Sequence, residues 1–210
     1  RSVQPELFHH ASAPDGRMID LKPITEQPAA VLENVRQMRN AVREWMYSDH
    51  VITEQEHAAW IDRLRTDDTQ RVMVAFILGE VIGVANLYRI QLRHATATWG
   101  YYPDPNLKGK GYGRALASRI ISYAFDECGI EKLNGETLEN NHASVQVDLK
   151  LGMRIEGVQR SAIVKNGERI NIVQLGITAE EFRARQQEEM RELYIAPPEL
   201  SGMMAGDVFH

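Results

Sequence analysis

A chain of 210 residues, 43% hydrophobic and 25% charged, suits one ordinary globular domain with a real core and a small appendage. Its net charge of −5 argues against nucleic acid as a partner, and no apolar run approaches the ~20 residues of a membrane span. The single cysteine, Cys128, excludes an internal disulfide and fits a reducing cytoplasm, where it reads as a small buried hydrophobe late in a helix.

Residues 1–17 carry a His pair, prolines and no periodicity, and are set aside as a flexible leader. Ile19 to Lys22 alternates and stops at Pro23, a short first strand. Val31, Val35, Met38, Val42 and Trp45 recur at helical spacing and predict a first helix with an apolar stripe. Thr53 and Glu56 form a capping box for a second, whose inner face is His57, Trp60, Ile61 and Leu64. Three antiparallel strands follow, Arg71–Leu78, Val81–Leu92 and Ala95–Tyr102, the last stopped by Pro103. A glycine-rich loop then opens a helix with Leu116, Ile120, Tyr123 and Ala124 inward. Lys132–Leu138 reads as a strand and Asn141–Leu151 as a helix ended by Gly152. Two last strands, Ile155–Val164 and Arg169–Ile177, flank Asn166-Gly167, a strong hairpin signal. A charged helix, Ala179–Tyr194, carries few apolar positions (Phe182, Met190, Leu193, Tyr194) and precedes a tail with Pro197-Pro198 and Met203-Met204. That extension is either a solvated appendage or a strip that packs on a second subunit of a homodimer; both readings stay open.

The chemistry begins at Lys108-Gly109-Lys110-Gly111-Tyr112-Gly113-Arg114. Three alternate glycines allow a tight loop with outward-facing amides, and the helix behind it adds free N–H groups and a positive dipole end. Such a loop is an anion cradle, best suited to a phosphate or pyrophosphate. It is not a P-loop, because no Gly-Lys is followed by Ser or Thr to hold magnesium, and no other metal set is expected. Nor is it the dinucleotide fingerprint, whose third glycine is replaced by Arg114 or Leu116 in the two registers available.

A basic residue, two spacers, Gly, one spacer and Gly (Lys108, Gly111, Gly113) resembles the coenzyme-A pyrophosphate loop of the GNAT N-acetyltransferase superfamily. The element order over residues 18–177 is similar to that whole fold: an α+β arrangement with a mixed, mostly antiparallel sheet flanked by helices, here with a C-terminal helical extension. Asn141, followed by Ala143-Ser144 and Lys150-Leu151-Gly152-Met153, resembles a second family segment whose Asn contacts the pantetheine arm of acetyl-CoA; a helix N-cap is its plain role, and one Asn can fill both. The resemblance implies acetyl-CoA as cosubstrate, its diphosphate on the amides of Lys108, Gly109, Lys110, Gly111, Tyr112, Gly113 and Arg114.

Met38-Arg39-Asn40, Trp45-Met46-Tyr47-Ser48-Asp49-His50, Glu56-His57 with Trp60, and Pro105-Asn106-Leu107-Lys108-Gly109 resemble one branch of the superfamily. Its members acetylate the 4-amino group of a UDP-linked amino-dideoxy sugar in pseudaminic acid synthesis. The likeness implies a nucleotide-sugar pocket from Arg39, Met46, Tyr47, His57 and Trp60. An Arg fork suits a diphosphate, and the flat apolar side chains suit uracil.

The resemblance also implies direct transfer from acetyl-CoA to an amine that must first lose a proton. A backbone N–H near Tyr101 or Tyr102 would hold the developing oxyanion. The family's proton donor to the leaving thiolate is a Tyr, but the matching position here is Asp148. At its reference pKa of ~3.9 a carboxyl is a poor acid at neutral pH unless burial raises that value. Glu136, on the fifth strand, and His57 are the candidate bases, the plain alternative for a strand Glu being a solvated place on the outer face. Two rivals remain: acetylation of protein N-termini or a small amine, and a non-catalytic acyl-CoA-binding module.

Overall fold

The computed structural model describes residues 12–195. Seven strands form one sheet in the order β1-β2-β3-β4-β5-β7-β6. They are β1 (Asp20–Pro23), β2 (Arg71–Ile77), β3 (Glu80–Gln91), β4 (Thr96–Pro103), β5 (Lys132–Leu138), β6 (Arg154–Lys165) and β7 (Glu168–Thr178). All neighbours are antiparallel except β4 and β5. The helices are α1 (Ala29–Ala41), α2 (Glu54–Leu64), α3 (Tyr112–Ser122), α4 (His142–Lys150) and α5 (Ala179–Ile195). This is the order and mixed-sheet class expected from the sequence.

Successive strand side chains point to opposite faces, so a central strand must be apolar on both. In β2, Val72, Val74 and Phe76 meet Val35 of α1 and Ile61 of α2. Met73, Ala75 and Ile77 join the other core with Leu116 and Ile120 of α3 and Phe182 of α5. The same alternation sends Tyr101 to the α3 side and Tyr102 to the α1–α2 side.

One gap in the sheet positions the site. The parallel β4–β5 ladder starts at Thr96↔Lys132 and ends at Trp99↔Gly135, although both strands run on. Beyond that point β4 stays paired to β3 as far as Pro103↔Gly83, and β5 to β7 as far as Leu138↔Ile172. Each strand keeps its outer partner, and the sheet opens between them.

Some elements depart from expectation. The first helix stops at Ala41 and a 3-10 turn covers Arg43–Trp45, leaving Trp45 40% exposed rather than on the inner stripe. A spacing of three residues fits a 3-10 turn as well as a helix, which is why the pattern misplaced it. The third helix widens into a π-turn at Tyr123–Glu127, which keeps Ala124 and Phe125 buried. The leader set aside over 1–17 is not loose at its end: Ser12 bridges Met18, and Ala13 is buried in the main core. Residues 1–11 and 196–210, with the Pro197-Pro198 and Met203-Met204 pairs, lie outside the described residues. So do the side chains of Met190, Leu193 and Tyr194, whereas Phe182 packs on Phe125 of its own core at 5.5 Å.

Candidate active site

On the α3 side, β4 gives way to a 3-10 turn at Pro105–Leu107, capped by Asp104. Gly109 and Gly111 then take positive φ of 77° and 84°, which a side chain rarely adopts, and so turn the chain into α3. Among the described residues, the amides of Gly109, Gly111, Tyr112, Gly113 and Arg114 donate to no main-chain carbonyl. A Cβ at Gly109 would meet open space. These features fit a diphosphate.

The basic side chains of the loop are not equivalent. Lys110 folds back on the Asn106 carbonyl at 3.2 Å. Arg114 lines, with Gly111, Ser118, Lys150 and Arg185, a cleft of about 350 Å³. The N-terminal segment also reaches this loop: Pro14 lies where a Gly111 Cβ would come within 2.9 Å, and Tyr112 donates to Asp15 at 3.0 Å. Neither this contact nor the share of α5 in the cleft had a signal in the sequence.

The opening between β4 and β5 leaves a main-chain donor of β4 without a strand partner. Ala95 and Ala97 turn their carbonyls toward the β5 side, and the Asp104 amide bonds Ile82 on the β3 side. Strand alternation therefore aims the Tyr101 N–H into the gap and the Tyr102 N–H at β3. Of the two residues expected near the oxyanion, Tyr101 is the one placed to donate.

Asp148 of α4 stands beside this gap at 2% exposure. Its Oδ2 accepts from Thr137 Oγ1 of β5 at 3.2 Å, and its Oδ1 is buried without a partner. Burial pushes its pKa up to about 7, the Thr137 hydrogen bond opposing only in part. Asn141 caps α4 by accepting from the Ser144 amide at 3.3 Å.

On the opposite face, Arg39 ends α1 with Nη2 donating to the Ser48 carbonyl at 3.0 Å, while Nη1 is buried and unpartnered. Its charge also bears on the Tyr102 ring of β4. Trp60 packs in the same cluster as Tyr102. His57 is 6% exposed, its ring 5.4 Å from that of Trp60 and its Nε2 unpartnered. Burial, then Arg36, lower its pKa and so favour the neutral ring, Glu33 opposing in part. It stands between α1 and α2, facing Arg36 and Glu33, rather than at the gap.

Glu136 corrects an expectation. It is not a solvated strand residue: its side chain is 11% exposed. Arg89 Nη1 donates to one oxygen at 2.6 Å and Tyr47 to the other at 3.0 Å. So engaged, it ties the Tyr47 loop and Arg89 of β3 to β5. The Tyr47 loop is held from beneath by Lys165, whose Nζ donates to the Glu44 and Met46 carbonyls at 2.6 Å each. Met46, expected in the acceptor pocket, is half-buried there. No local pattern hinted at Arg89 or Lys165; a Lys next to a hairpin turn ordinarily points to solvent.

Comparison with known proteins agrees with this geometry. Residues 19–154 match the acetyltransferase (GNAT) domain family. The chain is 27% identical over 132 residues to the acetyltransferase PseH of Campylobacter jejuni, covering 62% of this chain and 81% of that protein. It is 21% identical over 180 residues to spermidine N(1)-acetyltransferase of Escherichia coli, covering 83% and 93%. Among solved structures it resembles spermidine N-acetyltransferase from Vibrio cholerae, in complex with CoA and spermine, with a TM-score of 0.72. At 19% identity, over 79% of this chain and 98% of that one, the likeness speaks to the fold. With the family match spanning well over half of its length, the chain belongs to the acetyltransferase (GNAT) family and is an acetyl-CoA-dependent N-acetyltransferase.

Proposed function

We propose that the acceptor is the 4-amino group of a UDP-linked amino-dideoxy sugar. One observation carries this: the buried, unpartnered Nη1 of Arg39 on the acceptor face. A desolvated guanidinium donor is costly to leave unmet, and a diphosphate meets it in a forked geometry. Charge on that face agrees. Glu136 is paired with Arg89, and Glu156 with Lys132, so neither carboxylate is free to hold a polycation. The likeness to PseH points the same way.

In this reading the loop amides of 108–114 hold the diphosphate of acetyl-CoA, which supplies the acetyl group as a thioester. Asn141 meets the pantetheine arm, and the Tyr101 amide faces the carbonyl oxygen in the gap and stabilises its developing charge. Arg39 holds the nucleotide diphosphate. Met46, Tyr47 and Trp60 form the flat wall for the base, and neutral His57 adds a hydrogen bond but no charge. Glu136 is too heavily engaged to act as base, so the amine's proton leaves through water.

The deciding measurement is acetylation of a UDP-4-amino-4,6-dideoxy sugar against spermidine and an N-terminal peptide, with thiol release monitored. Turnover of the sugar alone is expected. Turnover of spermidine without the sugar would overturn the assignment.

A further inference from the structure

Trp99 carries a polar atom that neither the fold nor the acceptor pocket uses. The residue is 4% exposed, and its indole Nε1 is buried without a hydrogen-bond partner. It lies on the α3 face within the main core, its ring stacked on that of Tyr101 at 5.2 Å and 13°. Trp99↔Gly135 is also the last rung of the β4–β5 ladder, at the closed end of the opening. The indole leans across that rung: a Cβ on Gly135 would meet Nε1 at 3.1 Å, and Met153 Cε and Sδ at 3.6 Å. Glycine at 135 leaves the room in which the indole lies, and the N–H edge stands over β5 where the two strands part. Met153 offers only a thioether there, and no bond is made.

We propose that the Trp99 indole N–H is a second donor to the acyl carbonyl of acetyl-CoA, beside the main-chain N–H of Tyr101. The phosphate cradle follows the far end of β4, and Tyr101 Cε2 lies 4.0 Å from where a Cβ on Gly113 would sit. From Pro103 back to Trp99 the strand covers about 13 Å. A pantetheine arm entering from the cradle runs down that length, so its terminal acyl group, not an inner amide, reaches the closed end. A buried N–H left unmet is costly, and a carbonyl oxygen relieves it. The Tyr101 amide approaches the opening from the strand edge and the Trp99 indole from the α3 face. The proposal rests on acetyl transfer alone and holds whichever amine is the acceptor.

Both donors act on charge that grows during transfer. The amine nitrogen bonds the carbonyl carbon and the π pair moves onto oxygen, which the two N–H groups hold. When that pair returns, the C–S bond breaks with its electrons on sulfur. Water takes the proton from nitrogen and solvent supplies one to sulfur; Trp99 keeps its own throughout. An indole only donates, so it brings no competing acceptor and no charge to the site.

Binding without turnover tests the contact. By calorimetry the wild type should prefer acetyl-CoA to coenzyme A by about three- to tenfold, the worth of one hydrogen bond. Trp99→Phe keeps an aromatic ring against Tyr101 and removes the N–H. It should abolish the preference and bind coenzyme A within about twofold of wild type. The chain holds 3 tryptophans, so isotope-labelled wild-type protein resolves their indole protons by NMR. The Trp99 signal, assigned by its nearness to the Met153 methyl, should move downfield with acetyl-CoA and far less with coenzyme A. With any amine that is turned over, kcat of Trp99→Phe should fall about 100-fold, more than its loss of acetyl-CoA affinity, because the oxygen is most negative in the transition state. An acetyl preference that survives Trp99→Phe, or a wild-type indole signal that acetyl-CoA leaves in place, overturns the proposal. Inactivity toward the UDP-sugar changes neither measurement and bears on the acceptor alone.

Discussion

Arg39 is half held and half free: Nη2 is fixed to Ser48 and Nη1 has no partner, so binding a diphosphate needs little reorganisation of the side chain. Arg39→Ala should weaken the nucleotide sugar by about 10- to 100-fold, the range for a charge-assisted hydrogen bond, and leave acetyl-CoA affinity unchanged. Gly111→Val should reverse that pattern. A Cβ there would be forced to a φ of 84° and within 2.9 Å of Pro14, so the loop must move and acetyl-CoA should bind at least about tenfold more weakly. Calorimetry of both ligands on both variants checks the pair, and equal losses would merge two sites kept separate here. Gly111 was legible from its spacing alone, because glycines alternating ahead of a helix have few other uses. The free nitrogen of Arg39 was not legible, since it depends on where the Ser48 carbonyl ends up after a loop.

At the scale of elements, the segment between α1 and α2 is pinned at several points. Asn40 brackets Ile52, donating to its carbonyl at 2.9 Å and accepting from its amide at 2.8 Å. The Thr53–Glu56 capping box fixes the start of α2, as its sequence announced. Lys165 grips the carbonyls of Glu44 and Met46 from the end of β6, while Tyr47 reaches across to Glu136 on β5. Lys165 is 8% exposed, and its buried ammonium is met by these two carbonyls and, at 3.4 Å, by that of Arg43. Lys165→Met keeps the aliphatic stem and removes the grip. The acceptor KM should rise about tenfold, with acetyl-CoA affinity within about twofold of wild type; steady-state kinetics varying each substrate in turn separates the two. The Asn166-Gly167 hairpin itself was plain in the sequence, with Lys165↔Glu168 closing it as the turn chemistry requires. The partner of Lys165 was not, because Met46 lies 119 residues away and no local pattern encodes such a contact.

For the molecule as a whole, periodicity sufficed to order the strands and helices, because each long element has one face that must be buried. It did not foretell the burial of Asp148, since α4 is short and weakly patterned and its inner face depends on how β5 turns beneath it. That burial has a global consequence. The carboxyl titrates at about 7 in the fold and near 3.8 in the open chain. Between those two values the folded state holds the proton more tightly, so this group's contribution to stability is fully present below about pH 4 and is lost as pH rises through about 7. The whole shift, about three units, is worth at most ~4 kcal/mol. Asp148→Asn removes the titration while leaving an oxygen to accept from Thr137. The two proteins should therefore differ least in acid. The variant should gain on the wild type steadily as pH rises through neutrality, then hold a constant lead. Urea unfolding of both proteins at a series of pH values measures that difference directly, and groups common to both cancel from it. A difference independent of pH would mean that Asp148 is ionised in the fold, as it is in the open chain.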